Sequence, residues 1–228
     1  MAIENMEKTI KIILFGATGQ IGSGVQRACL NHPQIEHVTS VVRRPTGLEH
    51  EKLSEVIHGD YLDYSVVEDR LRGFDACFWS IGVSQLQVKT EQEYRTITLD
   101  YTCAAADVLV RLNPGMTFCF ISGMGTDPTM KSRQMWARFK GETEVKLASY
   151  PFKKVYVFRP ALVHPTDKND SRMRYVKILR PLYPLLNALF PKYVVTNEEV
   201  GLAMINVVLD QPEQTVFENP EFRKLAGV

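Results

Sequence analysis

In the stretch SRQMWARFKGETEVKLASY, Trp136 precedes Lys140 by four residues. On a helix that is one turn, so both side chains leave the same face. A tyrosine in the first position would form an acid–base pair with the lysine. An indole does not, because its N–H is a donor with no acidity near neutral pH. A second constellation lies near the start, where the apolar run IKIILF leads straight into GATGQIG, Gly16 to Gly22, and then into a helix-period segment. In such a turn Gly16 permits the tight bend and Gly19 lets the backbone approach a pyrophosphate. Gly22 lets helix and strand pack closely, while the helix N-terminus offers N–H donors and a favourable dipole. Three spaced glycines alone are a weak signal. Strand, loop, helix and second strand in that order make dinucleotide binding the reading.

About twenty residues after such a loop, an acid usually meets the ribose hydroxyls of NAD. This chain ends its second apolar run with VVRR, Arg43 and Arg44. Two guanidiniums suit a 2′-phosphate and offer no acceptor to a ribose diol, which favours NADP over NAD. A solvated pair of charges at a strand end is the bland alternative.

These residues need a scaffold, and the chain supplies an alternating one. IKIILFG, HVTSVVRR, EVIHGD, DACFWSIG, MTFCFIS and KKVYVFRP read as six strands. Helix-period segments separate most of them, including a long helix over about 89–112 that stops at NPG. This alternation predicts an α/β fold, a doubly wound, Rossmann-like parallel sheet of six or seven strands, in a single domain over 1–228. Residues from about 8 to 160 form the core. From about 161 to 228 the rhythm loosens into a small C-terminal substrate-side lobe, in which ALVHPTDKNDSRM reads as loop. Thr196 and Glu199 there have the spacing of a capping box.

A net charge of +1 over 228 residues gives no basic excess of the kind that grips nucleic acid. Four scattered cysteines lack metal-type spacing and suit a reducing, cytoplasmic setting. The stretch 175–195 is apolar but broken by three prolines, Lys177 and Arg180, so it is not expected to span a membrane. It carries too many large apolar residues to lie free in water. It is therefore expected to cover the crevice or form a homo-oligomer contact; a peripheral membrane role is the weaker alternative.

With GATGQIG, HGD, ISGMGTDP and KGETE in place, the chain resembles the short-chain dehydrogenase/reductase superfamily. Within it the chain is most similar to the small atypical proteins related to the Tat-interacting oxidoreductase-like group. The resemblance covers nearly the whole chain, including FRPALV and FENPEFRKL. It implies NADP(H) beyond the strand carboxyl ends, with Gly16, Thr18, Gly19, Gln20, Ile21 and Gly22 in the pyrophosphate loop. It assigns Arg43 and Arg44 to the 2′-phosphate and Asp60 to the adenine side. Ser80, Ile81 and Gly82 flank the cofactor, and Ser122 and Lys140 match the catalytic serine and lysine. Trp136 stands where the family has its tyrosine, so the general acid is missing.

Two other places hold groups that could donate a proton. Tyr94 and Tyr101 lie seven residues apart on the long helix, a spacing that predicts core packing for both. His164, after FRPALV, is the best spare acid, although a lone histidine before proline is more often structural. The leading function is an NADP(H)-binding, oxidoreductase-like protein with weak or unusual chemistry on a small carbonyl-type substrate. The alternative is a non-catalytic cofactor sensor acting through a protein partner.

Overall fold

The sheet is built from runs whose alternate side chains face opposite layers. In the computed structural model, which describes residues 9–166 and 182–227, β1 (Ile10–Phe15) sends Ile12 and Leu14 to one face and Ile13 and Phe15 to the other. Every one of these four is fully buried, as a parallel sheet covered on both sides requires. The other strands are β2 (Ile35–Val42), β3 (Leu53–Ile57), β4 (Ala76–Trp79), β5 (Thr117–Ile121), β6 (Lys154–Arg159) and, from the far C-terminus, β9 (Val216–Glu218). They form one seven-stranded, all-parallel sheet in the order β3-β2-β1-β4-β5-β6-β9. The doubly wound Rossmann-like fold expected from the sequence is the observed one. Its seventh strand, β9, is three residues long and was not among the six runs read from the sequence.

Helix α1 (Gly22–Asn31) and two later helices, α6 (Asn197–Asp210) and α7 (Asn219–Ala226), cover one face. On the opposite face lie α3 (Tyr101–Leu112) and α4 (Met135–Ala148). Small residues let α1 and α6 approach closely: a Cβ on Gly201 would stand 2.7 Å from Ala28 Cβ and 2.8 Å from Val25 Cα. The capping box predicted for α6 is present, with Thr196 Oγ1 accepting from Glu199 N at 3.1 Å and Glu199 Oε2 accepting from Thr196 N at 2.5 Å.

Two expectations are corrected. The stretch after FRP is not all loop, because β7 (Leu162–His164) pairs in parallel with β8 (Val194–Thr196) in a small second sheet. The long helix expected over about 89–112 is present over 91–112 but is not regular. It runs as α2 (Glu91–Arg95), a π-helical turn over Thr96–Asp100, and then α3. A seven-residue spacing returns to the same face only on a regular helix, and the wide π turn rotates everything after it by about 100°, one residue's worth. Tyr94 therefore points into the interior, 2% exposed, whereas Tyr101 lines an open cavity. Of the apolar stretch 175–195, residues 175–181 lie outside the described residues. The remainder carries a short helix, α5 (Tyr183–Leu189), on which Leu185 and Leu189 are exposed. Among the described residues no helix is long and apolar enough to cross a membrane.

Candidate functional site

The strand order turns back between β1 and β4, and in an open parallel sheet that reversal leaves a crevice at the carboxyl ends. Phe15 is in register with Trp79, so the next residues, Gly16 and Ser80, face each other across the crevice floor. Gly16 has φ +83°, and a Cβ there would come within 2.7 Å of the Ser80 carbonyl carbon and oxygen. No other residue type fits. Gly19 N donates to Gly16 O at 2.8 Å, closing the turn. A Cβ on Gly22 would meet the Gly16 carbonyl oxygen at 2.0 Å, so this glycine seats the first turn of α1 directly on the loop. No side chain caps α1.

A cavity of about 410 Å³ opens over this floor. Its walls include Gly16, Thr18, Gly19 and Gln20 from the loop, Ser80, Ile81 and Gly82 after β4, and Arg43 at the end of β2. The structure thus gathers most of the cofactor residues named from the sequence into one concavity. Arg44 and Asp60 do not line it. Both are exposed, and the Asp60 carboxylate accepts from Leu62 N at 3.0 Å, holding its own turn. Tyr61 and Tyr101 line the cavity instead, their rings 5.5 Å apart. Sequence reasoning missed both: Tyr61 stood beside the more obvious acid, and Tyr101 was assigned to the core. Ser80 Oγ is buried with no hydrogen-bond partner among the described residues.

A second cavity, of about 610 Å³, adjoins the loop through Gln20 and Ile21. Ser122 and Trp136 both line it. The benzo edge of Trp136 lies against the backbone after β5: Cβ atoms built on Gly123 and Gly125 would sit 3.6 and 3.5 Å from it. Lys140, one turn on, is buried. Its Nζ donates to Ile121 O at 2.7 Å and stands 4.9 Å over the Phe120 ring. Burial lowers its pKa from 10.5 to about 8, with Glu144 opposing the shift. A Cβ on Gly82 would lie 3.7 Å from this ammonium, which places Lys140 just behind the first cavity.

Ser122 is differently engaged. Its hydroxyl donates to Glu144 Oε1 at 2.5 Å, and Thr126 Oγ1 lies 2.9 Å away. Glu144 is itself held by Arg159, with Nε at 3.0 Å from Oε1 and Nη2 at 2.5 Å from Oε2, and Arg159 also reaches Glu218 at 3.2 Å. The single proton of Ser122 thus goes to a buried carboxylate. Glu144 and Arg159 were not singled out in the sequence; the available signal was Glu144 one helical turn beyond Lys140. His164 stacks on Tyr183, centroids 3.6 Å apart, and lines neither cavity. Among the described residues no cluster of three or more His, Cys, Asp or Glu side chains is placed to hold a metal ion.

A family model described as NAD(P)H-binding matches residues 16–150. Protein HTATIP2 of Rattus norvegicus is 24% identical over 164 residues, which cover 71% of this chain and 65% of that protein, just under two thirds of its length. Protein FMP52, mitochondrial, of Meyerozyma guilliermondii is 22% identical over 228 residues, 95% of each chain. Among solved structures, a short-chain dehydrogenase/reductase superfamily protein from Agrobacterium tumefaciens with bound NAD superposes with a TM-score of 0.65 at 14% identity, over 91% of this chain and 76% of that one. Crevice, glycine loop and family match agree: the chain belongs to the NAD(P)H-binding family and has the Rossmann-type fold of the short-chain dehydrogenases/reductases.

Proposed function

We propose that the chain binds NADP(H) in the crevice and supports only weak or unusual reduction of a small carbonyl-type substrate. The observation that carries this reading is an intact dinucleotide cradle beside an incomplete proton-transfer set. Trp136 occupies the phenol position, and the Ser122 proton is held by Glu144. The residues present fit the cofactor: Gly16 lets the loop pack directly on the Ser80–Ile81 backbone and so leaves the crevice open above it, and the Ser80 hydroxyl is buried without a partner at the cavity wall.

When bound, the nicotinamide supplies or accepts a hydride. The loop amides and the uncapped start of α1 offer donors to the pyrophosphate, and Arg43 offers its fork to the 2′-phosphate. Lys140 has two N–H donors beyond the one given to Ile121 and, lying behind Gly82, would offer them to the nicotinamide ribose. Trp136 walls the substrate side and excludes water. Without a phenol at position 136, carbonyl reduction forfeits that group's general-acid contribution, on the order of 10²–10⁴-fold in rate. Arg44 would serve at most as a second charge near the 2′-phosphate, while Asp60 holds its own turn and Ser122 is bound to Glu144.

Calorimetric titration with NADPH and NADH, followed by a carbonyl screen read by NADPH oxidation, tests the proposal. The expected result is tighter NADPH binding with slow or no turnover. Failure to bind either nucleotide overturns it, and turnover at about 10 s⁻¹, an ordinary enzyme rate, overturns the weak-catalysis part.

The sensor reading has its own support. Gln20 Nε2 donates to Val163 O at 2.9 Å, and Asn197 Nδ2 donates to Gln20 O at 2.8 Å. The glycine loop is therefore tied to β7 and to α6, and nucleotide occupancy would be felt in the lobe from about 161 to 228. A protein partner or a second copy meeting the exposed Leu185, Leu189 and Phe190 would read that state. Four free cysteines, three of them buried, suit a reducing compartment such as the cytoplasm.

A further inference from the structure

The second cavity carries no charged side chain among its described lining residues, and this restricts what it can take. We propose that it selects a flat, uncharged, apolar carbonyl or alcohol, an aromatic ketone or aldehyde in chemical class, and rejects carboxylates and nucleotide-linked sugars. The inference rests on the oxidoreductase-like reading above and names the substrate class of that site.

The apolar surface comes from Ile21, Met124, Trp136, Leu162, Val163 and Tyr193. Three polar side chains reach it: Gln20 is engaged with Val163 O at 2.9 Å and Ser122 with Glu144 at 2.5 Å, and Tyr193 brings a half-exposed phenol that a carbonyl oxygen could meet. Against the described lining an anion would lose its water without gaining a charged partner, which costs far more than burying a neutral ring of the same shape. The benzo ring of Trp136 lies against Gly123 and Gly125. Gly125 has φ +88°, so a side chain there would be both strained and in contact with the ring. A rigid aromatic wall of this kind favours offset stacking with a planar ligand. At about 610 Å³ the space suits a bicyclic ring. Tyr193, 53% exposed, and Met124, 43% exposed, leave apolar surface at the lining that such a ligand would cover.

The test uses two tryptophans as a built-in contrast. Trp79 is fully buried, and the part of the quenching that Trp136→Leu removes is the signal assigned to Trp136. The full chain, with and without saturating NADPH, is titrated with 2-acetonaphthone, with 2-naphthoate as the charged analogue of like shape, and with UDP-glucose. Fluorescence and calorimetry are the readouts. The ketone is expected to bind saturably and quench, with naphthoate and UDP-glucose at least tenfold weaker. Trp136→Leu should abolish most of the quenching and weaken ketone binding by calorimetry about tenfold, and Met124→Asp should weaken both the ketone and naphthoate. Naphthoate or UDP-glucose binding as tightly as the ketone overturns the proposal, as does a ketone that fails to bind in either state. If NADPH does not bind but the ketone does, the cofactor reading falls and the specificity of the cavity stands.

Discussion

Lys140 and Ile121 are joined by a 2.7 Å hydrogen bond from ammonium to backbone carbonyl, at a place where the ammonium is buried and its pKa is lowered to about 8. Burial penalises the charged form, so the folded state holds this proton less tightly than the unfolded chain does, and stability rises with pH between about 8 and 10.5. Below pH 8 the charged lysine is present in both states and the penalty is complete. Urea unfolding of the protein and of Lys140→Met at pH 7 and pH 9.5 should show the parent gaining roughly 2 kcal/mol relative to the variant over that interval. A constant difference would mean that the lysine is hydrated. NADPH affinity provides the second readout, since Lys140→Met should weaken it about tenfold by loss of a charge-assisted hydrogen bond.

Two of the loop glycines should separate by mechanism. Gly22→Ala drives a methyl to 2.0 Å from the Gly16 carbonyl oxygen and should cost the fold several kcal/mol, on the scale of overpacking a dense interior. Gly19→Ala has ordinary φ and meets the same oxygen only at 3.2 Å. Its melting temperature should stay close to the parent's, while NADPH affinity falls because the methyl enters the cavity. Thermal melts paired with calorimetry distinguish the two, and equal effects of both substitutions on stability would contradict the assignment.

Arg43 and Arg44, equivalent in the sequence, should differ in solution. Arg43 lines the first cavity and Arg44 does not. Arg43→Ala should weaken NADPH roughly ten- to hundredfold, about 1.5–3 kcal/mol, with little effect on NADH. Arg44→Ala should do much less. Indistinguishable NADH and NADPH affinities in the unmodified protein would remove the case for either arginine.

Breaking the Glu144–Arg159 pair on one side should be costly. Both groups are largely buried, and Arg159→Met leaves the Glu144 carboxylate without its partner, an effect of about 3–5 kcal/mol for buried pairs. Replacing Trp136 by tyrosine should leave NADPH binding intact and raise aromatic-ketone reduction, with the general-acid contribution of about 10²–10⁴ as its ceiling. Steady-state NADPH oxidation is the measurement, and a rate unchanged from the parent would show that a phenol at this position does not reach the substrate oxygen.

How far the sequence discloses this protein depends on whether a feature is local. The glycine loop is legible because its requirement is local: a strand ends, the chain turns with positive φ at Gly16, and a helix starts. The Thr196–Glu199 box is legible for the same reason. Strand β9 is not, since Val216–Glu218 is short, its first residue is exposed, and only pairing with Val157, Phe158 and Arg159 makes it a strand. The π turn over Thr96–Asp100 has no composition of its own, so the rotation that brings Tyr101 to the cavity cannot be read from a seven-residue spacing. Glu144 and Arg159 lie fifteen residues apart on a helix and a strand, and only the fold makes them partners.

The parallel pairing of β7 with β8 acts as a clasp on the chain. It fastens residues 162–164 to residues 194–196, so whatever length of chain runs between them starts and ends at fixed points beside the second cavity. Movement of either strand is therefore passed to the other. A ligand that displaces Leu162 or Val163 at the cavity wall also pulls on Val194–Thr196, and through Thr196 on the first turn of α6.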